Sequence, residues 1–246
     1  MEGIAKGISA ETVEHINMTV PGVKPVSMGR INDQLVIIGT PVYGGRVPNE
    51  AVKRLKTLSG EGAPAAIIVV YGNREYENAL FELKSIAQDM GLIPVAGGVF
   101  IGEHSFTSKE TPIAVGRPDE KDIQKAVEFG KSIRRKLDAI QSLDEVAPLE
   151  VPGKLPPEGS RPSSGEGPKI ELDLCNRCGT CAEVCPTAAI TVGDTVVIDG
   201  KQCIMCCACI KNCPTDAMVM DSPRVKAISK WLSENYSRRA EPEIFI

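Results

Sequence analysis

Nine cysteines crowd between Cys175 and Cys213, and none lies elsewhere. No other feature restricts the chain as much. A disulfide framework spreads its cysteines over the elements it ties together, and disulfides persist poorly in a reducing compartment. Crowding at short spacings points to metal instead. Eight of the nine form two runs, Cys175-x2-Cys178-x2-Cys181-x3-Cys185-Pro186 and Cys203-x2-Cys206-x2-Cys209-x3-Cys213-Pro214. The runs repeat at an offset of 28 residues, and the match extends to Thr187 with Thr215 and Ala189 with Ala217. Two residues between cysteines let one loop wrap three thiolates around three irons of a cubane. The fourth cysteine, a helical step further on, points toward the other cluster. The spacing therefore predicts two 4Fe–4S clusters. One is expected on Cys175, Cys178, Cys181 and Cys213, the other on Cys203, Cys206, Cys209 and Cys185. Zinc also takes cysteines in fours, but it seldom needs two successive x2 steps closed by Cys-Pro, twice over. Cys207 belongs to neither set and reads as a buried bystander.

The first 142 residues carry no cysteine and have a different pattern. Leu35–Val42, Ala65–Val70 and Ile93–Ile101 are continuous apolar runs ending in Gly-containing loops, the mark of buried parallel strands. Val13–Val20 is a further candidate extended segment. Between the runs lie amphipathic helices, one with Leu80, Leu83, Ile86 and Met90 on a face, another with Ile123, Val127, Ile133, Leu137 and Ile140. The alternation predicts a doubly wound α/β sheet over 1–142. Residues 143–168 are rich in Pro, Gly and Ser and read as a linker. Residues 169–222 form a small cluster domain. Residues 223–246 read as a helix around Val225, Ile228 and Trp231, then a tail with five basic and three acidic residues in all.

Residues 169–222 resemble the two-cluster bacterial ferredoxins, small α+β domains, which implies low-potential one-electron transfer. Two loops leave the ends of predicted strands: Thr40-Pro41-Val42-Tyr43-Gly44-Gly45 and Tyr71-Gly72-Asn73-Arg74-Glu75-Tyr76. These resemble the loops that flank the flavin ring in flavodoxins. The resemblance implies an FMN site made by Thr40, Pro41, Val42, Tyr43, Gly44, Gly45, Tyr71, Gly72, Asn73 and Tyr76. It departs from the pattern at the start. Met1–Ile8 reads as the middle of the first helix, with no strand and no phosphate-binding loop before it. The expectation is a flavodoxin-like sheet lacking its first strand, begun late, with FMN held weakly. With the closing Glu241-Pro242-Glu243-Ile244-Phe245-Ile246, nearly the whole chain resembles the flavodoxin–ferredoxin fusion proteins of anaerobic microbes.

A net charge of −4 speaks against general binding to nucleic acid or membrane surfaces. The longest apolar run, Ala63–Tyr71, is too short to cross a bilayer, and no basic-then-apolar leader opens the chain. The reading is a cytoplasmic protein whose partners are redox proteins. No Gly-x-Gly-x-x-Gly fingerprint, nucleophile elbow or zincin motif occurs. The leading reading is an electron carrier. The rival is a flavin-dependent reductase of an organic acceptor, for which Glu103-His104-Ser105 is the best acid–base candidate. His15 reads as structural.

Overall fold

A computed structural model describes residues 1–22, 34–155 and 165–246. Three of the apolar runs become strands β1 (Val36–Pro41), β2 (Pro64–Tyr71) and β3 (Ile93–Ile101), paired in parallel in that order. The chain reaches each next strand through a helix: α2 (Asn49–Leu55) after β1 and α3 (Ala79–Asp89) after β2. Residues of β2 alternate between two apolar layers. Ala65, Ile67 and Val69 join Leu55, Leu80, Leu83 and Ile86. Ala66 and Ile68 join Ile4, Ile8, Ala126, Phe129 and Ile133 from α1 (Glu2–Ile8) and α4 (Glu120–Ala139). Burial on both faces explains why the strands read as unbroken apolar runs rather than alternating ones.

Three features depart from the sequence reading. Residues 11–18 form no strand. They carry exposed Glu11, Thr12, Glu14, His15 and Asn17, and the carbonyls of Met18 and Thr19 accept hydrogen bonds from Arg54 of α2. Among the described residues, β1 pairs only with β2 and forms the sheet edge. Second, the first half of the expected linker belongs to the α/β body. Leu149 is 4% exposed within the α2–α3 layer, and Val151 packs against that layer. The other part of that linker, residues 156–164, lies outside the described residues. Third, α4 buries Asp122, Ala126, Phe129, Gly130 and Ile133, while Ile123 is 47% exposed.

The cluster unit is built from short pieces. Strands β4 (Lys169–Ile170) and β7 (Met218–Val219) pair antiparallel, as do β5 (Ile190–Val192) and β6 (Val196–Ile198). Helices α5 (Thr180–Glu183) and α6 (Ala208–Lys211) follow the two three-cysteine loops. Helix α7 (Pro223–Asn235) then leads back to the α/β body. Ser222 caps it by accepting from the amide of Val225, and Pro223 opens its first turn. The tail ends in β8 (Glu243–Phe245), which pairs antiparallel with β3 and completes a four-stranded sheet in the order β1-β2-β3-β8.

The α1–α4 contact depends on glycine. A Cβ on Gly130 would lie 2.2 Å from the carbonyl oxygen of Ile4, and one on Gly7 would lie 2.0 Å from that of Val127. Helix propensity alone favours Gly130→Ala by about 1 kcal/mol. The clash is with backbone, so the helices must separate, an overpacking cost of about 1–3 kcal/mol. Gly130→Ala is thus expected to lower the melting temperature despite its better propensity, as thermal denaturation by circular dichroism would measure.

Candidate metal centre and adjoining cleft

The cysteine repeat is also a repeat of backbone conformation. Left-handed residues recur at the 28-residue offset: Arg177 with Met205, Gly179 with Cys207, and Ala188 with Asp216. Each three-cysteine loop therefore turns in the same way before its short helix. The fourth cysteine of each run, Cys185 or Cys213, follows that helix. A small cavity of about 20 Å³ is lined by Cys185 together with Cys203, Cys206 and Cys209, and by Cys207. The thiols of Cys203, Cys206 and Cys209 all lie within electrostatic reach of Cys185. On the other side, Cys178 lies within reach of Cys213, and Cys181 within reach of Cys175 and Cys178. Cys185 thus lies with the cysteines of the second loop, and Cys213 near Cys178 of the first.

These donors fit iron–sulfur cubanes. Among the described residues, no three His, Cys, Asp or Glu side chains converge on a point suited to a single metal ion. A cubane takes one thiolate per iron and so spreads its four ligands around the cluster. Hydrogen bonds reach the sulfurs. The Ala189 amide donates to Cys185 Sγ (3.3 Å) and the Met205 amide to Cys203 Sγ (3.4 Å). The Thr180 hydroxyl, 3.4 Å from Cys178 Sγ, pulls that thiol's pKa down. Burial pushes Cys209 and Cys207 up to about 12.

Both cysteine runs contact the α/β body. Lys211 of α6 pairs with Glu103 (3.0 Å), and Arg54 donates to the Pro186 carbonyl. Ser229 and Ser233 of α7 donate to the carbonyls of Phe106 (3.1 Å) and Pro112 (3.0 Å). Tyr43 adjoins Cys206 and Cys207, and its phenol is held protonated by burial first and then by those sulfurs. Glu82 of α3 fixes the Tyr43 loop. It accepts from both Arg46 nitrogens (2.8 and 2.6 Å) and from the Val47 amide (2.9 Å).

A cleft of about 2030 Å³ opens between the β1 edge and the cluster unit. Thr40, Pro41 and Tyr43 line it, and so do Pro186, Ile204 and Cys206. Thr40 is 5% exposed, and its hydroxyl has no hydrogen-bond partner among the described residues. The ten residues expected around a flavin therefore divide. Thr40, Pro41 and Tyr43 face the cleft. Val42 packs against the core, and Gly45 is covered by Glu77, whose Oε2 would lie 2.0 Å from a Cβ there. Gly44 takes a left-handed conformation at the turn (φ 57°).

The Tyr71–Tyr76 loop holds the tail. Asn73 bonds Tyr236, Arg238 and Ala240 backbone, Tyr76 donates to Glu243 (3.0 Å), and Tyr71 is buried in the core. Gly72 is covered by His104, whose Cδ2 would lie 2.3 Å from a Cβ there. This role for Asn73 carries no sequence signal, because an amide suits a flavin and a passing backbone equally well. Glu103 is engaged by Lys211 and by the Gly116 amide, and His104 accepts from the Phe106 amide. Burial and then Arg74 lower the His104 pKa, so the imidazole is neutral. His15 is exposed and also lines the cleft.

Residues 168–191 match the family of 4Fe-4S binding domains. A search of curated proteins returns no match. Among the described residues, no helix is long and apolar enough to cross a membrane. The match supports iron–sulfur electron transfer as the chemistry of this region. Cys207 lines the small cavity and is the ninth cysteine, outside the two four-cysteine runs. Cys207→Ala is accordingly expected to keep the full iron content of the anaerobically reconstituted chain. Loss of four irons in a colorimetric assay would make Cys207 a ligand.

Proposed function

We propose that the chain is an electron-transfer protein with two 4Fe–4S clusters. One is held by Cys175, Cys178, Cys181 and Cys213, the other by Cys203, Cys206, Cys209 and Cys185. The observation that carries this reading is the gathering of Cys185 with Cys203, Cys206 and Cys209 around one cavity, and of Cys213 with the first loop. When bound, the clusters supply one-electron storage over a potential range that hydrogen bonds and solvent exposure tune. The chain's own part is to place the sulfurs, donate amides to them and exclude water from the second set.

The cleft beside Cys206 suits a flavin, FMN by resemblance, that exchanges electrons with the second cluster. Its support is the orphaned Thr40 hydroxyl. An unpaired buried hydroxyl costs about 1–3 kcal/mol, and a polar edge of a ligand ring would satisfy it. A carrier is favoured over a reductase, because Glu103 and His104 are engaged elsewhere and neither lines the cleft. The partners are other redox proteins, and the setting is the cytoplasm.

Two measurements test this reading. Cys185→Ser should remove the cluster of Cys203, Cys206 and Cys209 and leave the other, as EPR of the reduced protein with iron analysis would show. Loss of the Cys175 cluster alone would reverse the assignment. Thr40→Val should raise the melting temperature by about 2–4 °C, since it deletes an unsatisfied group worth about 1 kcal/mol. The same change should weaken flavin binding about tenfold, equivalent to about 1.4 kcal/mol. Flavin affinity unaffected by Thr40→Val in a fluorescence titration would remove the cleft from the electron route.

A further inference from the structure

The two cysteine sets have opposite surroundings. Cys185 and Cys209 are buried, Cys206 borders the cleft, and Lys211 and Arg54 tie their loops to the α/β body. The other set stands at the surface, with Cys178 exposed. The turn that leads into Cys175 presents Leu172 at 76% exposure and Leu174 at 52%. Glu171 and Asp173 alternate with them and are also exposed. The turn is fixed by backbone bonds from Leu174 to Glu171 (3.1 Å) and from Cys175 to Leu172 (3.3 Å), so apolar and acidic side chains are offered together beside the first ligand. Arg177, the basic residue of that loop, donates to the Asp194 carbonyl (3.0 Å). Behind the turn, Lys169 pairs with Asp221 (2.9 Å). Two neighbouring exposed leucines alternating with two exposed carboxylates make a small apolar patch with a defined charge.

We infer that the Glu171–Leu174 turn is the port where a redox protein docks, one that carries a basic rim around an apolar centre. The partner exchanges one electron with the cluster of Cys175, Cys178, Cys181 and Cys213. The cluster of the buried set faces the cleft and does not meet the partner. In each encounter one centre loses an electron and the other gains it, with no bond made or broken. The inference rests on the two-cluster reading. Opposed charge across such a contact acts chiefly on the encounter rate and its salt dependence.

The test uses the anaerobically reconstituted full chain, reduced with dithionite and freed of excess reductant so that it is the electron donor, and oxidised cytochrome c, a basic haem protein, as acceptor and probe. Two double variants shift net charge equally: Glu171→Lys with Asp173→Lys at the port, and Asp89→Lys with Glu128→Lys on distant helices. At low salt the port variant should slow bimolecular electron transfer about tenfold or more, with the iron–sulfur spectrum unchanged. The distant pair should slow it less than about twofold. Carbodiimide cross-linking, which needs no electron transfer, should join cytochrome c to the peptide containing Glu171 and Asp173. Equal slowing by both doubles, or cross-links confined to carboxylates at the cleft, would overturn the port. Failure of the unmodified chain to take up iron and sulfide would overturn the two-cluster reading along with it.

Discussion

The carboxamide of Asn73 binds three backbone groups of the C-terminal tail. It donates to the carbonyls of Tyr236 (2.7 Å) and Arg238 (2.8 Å) and accepts from the amide of Ala240 (3.1 Å). Around it, Arg117 is held against Asp122 in a buried pair and also reaches the Ala240 carbonyl (3.0 Å). Arg239 reaches Asp119 and Asp122 at the start of α4. Each neutral bond contributes about 0.5–1.5 kcal/mol net, and those to charged groups more. Together they seat the tail so that β8 can pair with β3. The segment through 143–168 is the covalent tether between the two units, and the seated tail adds a non-covalent one. A second attachment at the far end of the cluster unit raises the effective concentration of its docking face. The contacts from Lys211 to Glu103 and from Ser229 to Phe106 then become intramolecular closures of a ring.

How far this was legible in the sequence follows from how local each signal is. The 4Fe-4S binding region is legible because cysteine spacing is itself the chemistry. Strands β1, β2 and β3 are legible because burial on both faces leaves continuous apolar runs. Strand β8 has three residues, two of them exposed, and no periodicity can announce so short an edge. Residues 143–155 look like a linker by composition, yet Leu149 and Val151, two apart, are what an extended strap needs in order to bury side chains over Gly97. In α4 the helical period allows more than one apolar stripe. Contact of Gly7 with Gly130 selects the stripe with Phe129 and turns Ile123 to solvent, and only the partner helix decides that. The Tyr71–Tyr76 loop is ambiguous because glycine, amide and phenol serve a ring or a backbone alike.

The cluster unit has little apolar matter of its own. Its core holds Ala189, Ile190 and Met218 with the buried thiols of Cys185 and Cys209. A core this thin depends on metal–thiolate bonds and on neighbouring structure. Helix α7 supplies the latter through buried Val225 and Leu232, and through Ser229 and Ser233 on the α/β body. The two halves are therefore unequal partners. The α/β sheet has apolar layers on both faces, and the cluster unit borrows rigidity from it.

That inequality reaches down to one residue of the repeat. Where the first loop has Gly179 in a left-handed conformation, the second has Cys207, at φ 60°. A side chain with Cβ is strained there, and such strain persists only where surrounding structure over-determines the backbone. At Gly179 a Cβ would meet nothing within 4 Å, for that loop faces solvent. Cys207 is 5% exposed and lies beside Tyr43. The repeat departs from glycine at the loop that packs against the sheet, where the side chain adds buried contact that offsets its backbone cost. Two loops built to one plan thereby acquire different surroundings, one turned outward and one packed against the sheet.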